Sequence, residues 1–355
     1  MAEVTLQHIT KSFKQIAALS DVSFSIQDGE FFVLLGPSGA GKTTTLRVIA
    51  GLERQDAGNV LINSAVVNQT APPDRDVAFV FQQYSLYPTM SVYDNLAFPL
   101  RSPMRRTPEP EVRRRVEAVA EVLRIPHLLA RKTARLSGGE MQRVSIGRAI
   151  VRDPQIFLMD EPLSNLDAKL REALRVELKH LQKTRASTTL FVTHDQIEAL
   201  TMADRIAVLD HGKIIQLGTP HDIYDRPATT FVAQLVGSPR INLMAAAREN
   251  GTIHVPNTPI QLPTSNAFGA LPAAFTLGVR PEDVQPNNDG PFTGRVALIE
   301  PLGVETLLYI KSGEQTLVSI VPGMTRIQLG GDLRFDIVRE RLHFFNPAGE
   351  RVSAQ

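Results

Sequence analysis

The sequence predicts an α/β protein built on a mostly parallel sheet, with a smaller all-β module after it. Three observations carry that prediction. A glycine-rich loop stands between an apolar strand and a helix. The same strand-then-helix rhythm returns twice downstream. Beyond about Val236, Gly and Pro punctuate only short alternating segments. A length of 355 residues also exceeds one typical domain.

Each element follows from its residues. From Val4 to about Leu35, β-rich runs alternate with turn residues, Asp28-Gly29 being a tight-turn pair, and Phe31-Phe32-Val33-Leu34-Leu35 reads as a buried strand. A helix is expected from about Lys42 to Ala50, ended by Gly51. After Pro108 a second helix presents Val112, Val116, Val119, Ala120 and Leu123 as one stripe until Pro126 stops it. Ile156–Met159 and Leu190–Thr193 repeat the strand pattern, and Leu170–Leu181 reads as helix. Near Phe231–Pro239 the character changes. Arg295–Ile299, Leu307–Ile310 and Leu333–Val338 then alternate as short strands.

Gly36-Pro37-Ser38-Gly39-Ala40-Gly41-Lys42-Thr43 matches the pattern G-x-x-x-x-G-K-[ST] in full, between a strand and a helix. Glycines let backbone N–H groups point inward around phosphate oxygens, and the helix N-terminus adds its positive dipole. Lys42 is expected to reach the β- and γ-phosphates, the Thr43 hydroxyl to ligate Mg²⁺, and Thr44 to donate to a phosphate. The motif by itself specifies only a nucleoside triphosphate. Ile156-Phe157-Leu158-Met159-Asp160-Glu161 ends an apolar strand in two carboxylates. An acidic pair at a strand end is often just a solvated turn. Downstream of a complete phosphate loop it is expected to be catalytic, Asp160 holding Mg²⁺ and Glu161 polarising the attacking water.

At this point the chain resembles the ATP-binding-cassette (ABC) family. Leu136-Ser137-Gly138-Gly139-Glu140-Met141-Gln142 is similar to the family signature that opens a helix, with Glu140 where Gln is usual. The resemblance implies that Ser137, Gly138 and Gly139 close over the nucleotide of a second subunit, and that Asp167 of Ser164-Asn165-Leu166-Asp167 meets that subunit too. The acidic change at Glu140 is expected to be tolerated, because the backbone and Ser137 carry the phosphate contact. Gln82 looks like the family's glutamine, which senses Mg²⁺ and water. His194, following Leu190-Phe191-Val192-Thr193, looks like its switch histidine, and Phe13 like the aromatic that stacks on adenine. What this implies is a P-loop ABC cassette, a RecA-like core plus a helical subdomain at about 88–150, spanning 1–235. A C-terminal oligonucleotide-binding-like (OB-like, TOBE-type) regulatory domain would span 236–355.

The segments Val92–Leu100, Phe231-Val232-Ala233, Gly278–Asp283 and Glu300-Pro301-Leu302-Gly303 are similar to the carbohydrate-importer branch. The implied protein hydrolyses ATP to import a sugar, polyol or glycerol phosphate. Its implied partners are a second ATPase subunit, identical or paralogous, two transmembrane permeases and an extracytoplasmic solute-binding protein. The implied place is the cytoplasmic side of the inner membrane. Polyamine, ferric-iron or sulfate import and a stand-alone cytosolic cassette ATPase stay open.

Composition agrees. Lys+Arg 38 against Asp+Glu 37 gives no electrostatic reason to expect nucleic acid. No cysteine is present, which removes disulfides and thiolate metal sites. Met1-Ala2-Glu3-Val4 lacks the start of a secretory signal. No uninterrupted apolar run reaches the ~18 residues of a membrane span, so a membrane role is expected to come through partners.

Overall fold

The computed structural model describes residues 2–103, 106–264 and 271–352. By Cα packing the chain divides into two units, Met1–Pro220 and His221–Gln355.

The first unit runs β1 (Val4–Phe13), β2 (Ile16–Ile26), β3 (Phe31–Leu35), α1 (Lys42–Ala50), β4 (Ala57–Ile62), β5 (Ala65–Val66), β6 (Val77–Val80), α2 (Val92–Ala97), α3 (Glu109–Val122), α4 (Gly138–Ile150), β7 (Ile156–Asp160), α5 (Ala168–Arg185), β8 (Thr188–Thr193), α6 (Gln196–Met202), β9 (Arg205–Asp210) and β10 (Lys213–Gly218). Its main sheet has the order β10-β9-β3-β8-β7-β6, parallel from β9 to β6. Every residue of β3, β7 and β8 is buried, which is why Phe31–Leu35, Ile156–Met159 and Leu190–Val192 read as apolar runs: helices cover both faces of a parallel sheet. A second, antiparallel sheet has the order β2-β1-β4-β5. Among α2, α3 and α4 the packing is close. A Cβ on Gly147 of α4 would lie 2.8 Å from Leu96 and 2.9 Å from Leu123, so only glycine lets the backbones approach this far.

Register places the chemistry. Leu35 pairs with Thr193, and Asp160 pairs with Val192. The residues that follow each strand therefore emerge side by side at the carboxyl edge of β3, β8 and β7, where open parallel sheets bind ligands.

In the second unit two short helices, α7 (Pro220–Asp225) and α8 (Thr230–Leu235), precede β11 (Asn242–Glu249), β12 (Thr252–His254), β13 (Gln261–Pro263), β14 (Ala274–Val279), β15 (Val284–Pro286), β16 (Phe292–Pro301), β17 (Glu305–Ser312), β18 (Gln315–Pro322), β19 (Asp332–Ile337) and β20 (His343–Phe345). These strands form two antiparallel sheets, β13-β12-β11-β14-β20 and β15-β19-β16-β17-β18. They close on a core that includes Leu277, Phe292, Leu308, Phe335 and Phe344. Asn242 joins the sheets: its amide donates to the Val279 and Val318 carbonyls at 3.1 and 2.9 Å and accepts from Val318 N at 2.7 Å.

The Cα division lies nearer the N-terminus than the sequence boundary at 235/236, and the reason is visible. Arg280, 2% exposed, donates to the carbonyls of Tyr224, Ala233 and Val236 and stacks 4.1 Å over the Tyr224 ring, so α7 and α8 pack with the β module.

His343 supplies a pH dependence. Burial, with the Arg280, Arg351 and Arg341 charges adding to it, lowers its pKa from 6.5 to about 3. The Arg351 guanidinium meets the Nδ1 of this neutral ring at 3.2 Å. Below pH 6.5 the unfolded chain binds a proton that the folded chain refuses. The stability tied to His343 is therefore whole above 6.5 and lost as pH falls toward 3, by about 1.4 kcal/mol per pH unit. Urea unfolding of the parent and of His343→Gln at pH 7.5 and 5 is expected to show about 2 kcal/mol more loss in the parent. Equal losses would mean that the imidazole titrates normally.

Candidate nucleotide-binding and catalytic site

The loop 36–43 leaves β3 and runs into α1. Gly41 caps that helix at φ 108°, and a Cβ there would lie 2.5 Å from the Ala18 carbonyl oxygen, so both conformation and space require glycine. Ala40 is buried beneath the loop, its carbonyl accepting from Gly212 N at 2.9 Å. The Lys42 ammonium donates to the carbonyls of Gly36 and Pro37, both at 2.9 Å, and stands 3.7 Å from Glu161 Oε1. Burial lowers its pKa against the pull of Glu161 and Asp160. The Thr43 hydroxyl donates to Asp160 Oδ1 at 3.0 Å. Burial raises the pKa of Asp160, and the Thr43 hydrogen bond opposes the rise.

Glu161 is the hub. Its backbone leaves β7 in the left-handed region, φ 45°, with its N–H on the Val192 carbonyl at 3.0 Å. Such a conformation costs a non-glycine residue roughly 1–3 kcal/mol and gathers at functional sites. The carboxylate is met by Lys42, by Gln82 Nε2 at 3.3 Å and by His194 Nδ1 at 3.1 Å. These groups line a cleft of about 570 Å³ together with Pro37, Ser38, Gly39, Gly41, Thr43 and Thr44. Residues drawn from four separated segments of the sequence thus converge on one polar cleft with a lysine at its floor. That arrangement suits a polyanion and an activated water. Phe13 ends β1 with its ring exposed, 5.1 Å from Lys11 Nζ, and its cross-strand partner Ile16 lines the cleft.

Ser137, Gly138, Gly139 and Asp167 are not among the residues lining that cleft. Ser137 caps α4 in a reciprocal box: its Oγ accepts from Glu140 N at 3.4 Å, while the Glu140 carboxylate accepts from Ser137 N at 2.7 Å. That backbone N–H lowers the pKa of Glu140, with Arg131 and Arg143 assisting. Asp167 caps α5, accepting from Leu170 N at 3.0 Å. Both residues stand at helix starts, where the first-turn N–H groups have no intrahelical acceptor.

Sequence reasoning missed a group immediately behind Glu161 and His194. Arg171, Asp195 and Glu198 line a small cavity of about 30 Å³ with Glu161, Ser164, Thr193 and His194. A signal existed: Asp195 followed by Glu198 is a helix-start pattern, and Asp195 does cap α6. Its link to Glu161 and His194 needed the tertiary fold.

Comparison with known proteins agrees with this geometry. The ABC transporter family model matches residues 19–164, and the TOBE domain model matches residues 277–345. The sn-glycerol-3-phosphate import ATP-binding protein UgpC of Ruegeria pomeroyi is 45% identical over 356 residues, covering 99% of this chain and 100% of that protein. The trehalose/maltose import ATP-binding protein MalK of Thermococcus litoralis is 43% identical over 366 residues, covering 98% of each. The dimeric post-hydrolysis structure of the ATP-binding cassette MJ0796, bound to ADP and Pi, aligns at a TM-score of 0.57 and 32% identity over 61% of this chain and 98% of that one. Identity of this order along the whole length, on a fold that gathers a phosphate loop, a carboxylate and a histidine at one sheet edge, places the chain: it belongs to the ABC transporter family, as an ATP-hydrolysing subunit of the importer type.

Proposed function

We propose that this chain couples ATP binding and hydrolysis to the import of sn-glycerol-3-phosphate or a chemically related sugar or polyol. The observation that carries the solute class is the 45% identity, through the C-terminal unit as well as the cassette, to a protein named for glycerol-3-phosphate import. The 43% identity to a trehalose/maltose import protein favours a disaccharide as the second reading.

Two copies, or one copy and a paralogue, would close face to face. Each cleft would then be completed by Ser137, Gly138, Gly139 and Asp167 of its mate, whose helix starts carry unused backbone donors. Lys42 would exchange the Gly36 and Pro37 carbonyls for the β- and γ-phosphates, with Ser38, Gly39 and Thr44 donating alongside. Phe13 would stack on the adenine. Glu161 would take a proton from the attacking water, and His194, which already bridges to Glu161 at 3.1 Å, would hold carboxylate and γ-phosphate in line. Thr43, Asp160 and Gln82 suit the magnesium ion that accompanies ATP. They present hard oxygens, two of them already 3.0 Å apart, as expected for a cation held by one carboxylate plus substrate phosphates. When bound, that ion would neutralise charge on the triphosphate.

The docking surface for the permeases would be the groove of about 750 Å³ beside Gln82, walled by Phe81, Ser85, Tyr87, Phe98 and Arg148. Tyr87 and Phe98 are 40% and 44% exposed with ring centroids 4.6 Å apart, an apolar pair in a polar rim. No helix among the described residues is long and apolar enough to cross a membrane. Attachment to the cytoplasmic face of the inner membrane would therefore run through those permeases, with a solute-binding protein outside.

The test is uptake in a deletion strain. Labelled sn-glycerol-3-phosphate uptake is expected to disappear and to return with the intact gene, but not with Glu161→Gln. Loss of trehalose and maltose uptake alone would select the second reading. Unchanged uptake of all three, with the protein recovered free of membrane complexes, would overturn both.

A further inference from the structure

We propose that Arg171 is a positioning residue that locks the segment 164–167 to the loop carrying His194, so that hydrolysis depends on where that segment sits. The case begins with a closed ring of contacts. The Ser164 hydroxyl donates to the Glu161 carbonyl at 2.9 Å. Arg171, in the first turn of α5, donates from Nη2 to the Leu166 carbonyl at 3.1 Å and to the Ser164 carbonyl at 3.5 Å. Its Nη1 stands 3.6 Å from Asp195 Oδ2. Asp195 directly follows His194, whose Nδ1 returns to Glu161 Oε2 at 3.1 Å. The ring encloses the cavity of about 30 Å³.

Apart from the His194–Glu161 contact, the hydrogen bonds that Thr193 and Asp195 make through their side chains among the described residues run toward α6. Asp195 Oδ1 accepts from Ile197 N at 2.7 Å and Glu198 N at 3.3 Å. Thr193 Oγ1 accepts from Asp195 N at 2.9 Å and donates to the buried Glu198 carboxyl at 2.6 Å. These bonds all run toward α6. Arg171 is the group that reaches the loop from α5, and its planar fork lets one side chain hold two carbonyls and a carboxylate at once. Stability alone is a poor account of the pair. Both side chains are partly exposed, 33% and 25%, and an ion pair at 3.6 Å in that setting contributes little. What the contact does is fix direction. A shift of 164–167 moves two carbonyls, the guanidinium follows them, and Asp195 carries His194 toward or away from Glu161.

The inference rests on the two-subunit reading for what would move 164–167, namely engagement of Asp167 by the mate. The ring itself lies within one chain and is testable separately.

The experiment is a double-mutant cycle on the full chain, using Arg171→Ala, Asp195→Asn and the pair. Asn keeps the oxygen that caps α6 and removes the charge. In each variant kcat for ATP hydrolysis is expected to fall about tenfold or more while KM for ATP stays within about twofold, because misplacing a catalytic group costs the chemical step rather than binding. The double variant is expected to be no worse than the worse single one, the mark of one shared interaction. Arg171→Lys, charged but without the fork, is expected to recover less than half of the parent kcat. A kcat within twofold of the parent in Arg171→Ala, a loss carried by KM, or losses that multiply in the double variant would each overturn the proposal. If Arg171→Ala fails to fold, Asp195→Asn and Arg171→Lys decide by the same kcat criterion. Failure of Glu161→Gln to pair with ATP would instead defeat the two-subunit reading and leave the cycle's result on the ring standing.

Discussion

Replacing Glu161 with Gln is expected to lower steady-state phosphate release by about 100-fold or more, the scale of a lost general base, while ATP binding persists. Glutamine is close in shape and keeps one oxygen, so the contacts from His194 at 3.1 Å and Gln82 at 3.3 Å have an acceptor to return to. What disappears is the charge, and with it the ability to take a proton. Removing that charge also leaves Lys42, 3.7 Å away, with one fewer competing anion, which favours the triphosphate. Phosphate release and binding of a fluorescent ATP analogue, measured on the same preparation, separate the two effects. Light scattering of the variant with ATP reads a third, the accumulation of a closed pair. Near-normal ATPase would remove Glu161 from the role of base.

Replacing Arg280 with Leu is expected to destabilise the unit His221–Gln355 by about 3–5 kcal/mol, the cost of deleting one partner from a buried polar cluster. Arg280 is among the largest fully buried side chains. Its guanidinium satisfies the carbonyls of Tyr224, Ala233 and Val236 at 2.8, 3.0 and 2.5 Å, and leucine can satisfy none of them. The Tyr224 ring would lose its cation–π partner at the same time. Tyr224 also donates to Glu282 at 2.7 Å, so part of the cluster survives and the effect should stop short of unfolding the β sheets. Hydrogen exchange of α8 and urea unfolding followed by tyrosine fluorescence read the change. A shift under about 1 kcal/mol would mean that the orphaned carbonyls find water.

Much of this was legible in the amino-acid order because the chemistry is locally encoded. The phosphate loop needs glycines at set spacings for backbone N–H groups to turn inward, and Gly41 occupies the left-handed conformation that this spacing anticipates. Buried parallel strands must be apolar on both faces, so Phe31–Leu35 and Ile156–Met159 announce themselves as unbroken runs. Gly51 sits in the left-handed C-cap where it was expected to end α1. The stripe from Val112 to Ala120 is the buried face of α3.

Other features follow from pairing at a distance, and no local pattern carries them. The register of β8 beside β7 brings His194 to Glu161, which Lys42 also meets, and a one-residue slip of β8 would carry His194 away from that carboxylate. The left-handed turn at Glu161 puts a strained backbone where an ordinary strand end would serve the sequence equally well. Arg280 looks like a surface arginine until the carbonyls of two helices are seen to surround it. Arg171 resembles any charged residue on a helix until Asp195, at the start of α6, arrives beside it. Composition and spacing thus determined the elements and the phosphate loop, and the resemblance of the downstream motifs pointed to the family. Which side chains meet was decided by the tertiary structure, because contact energies depend on distances that only folding sets.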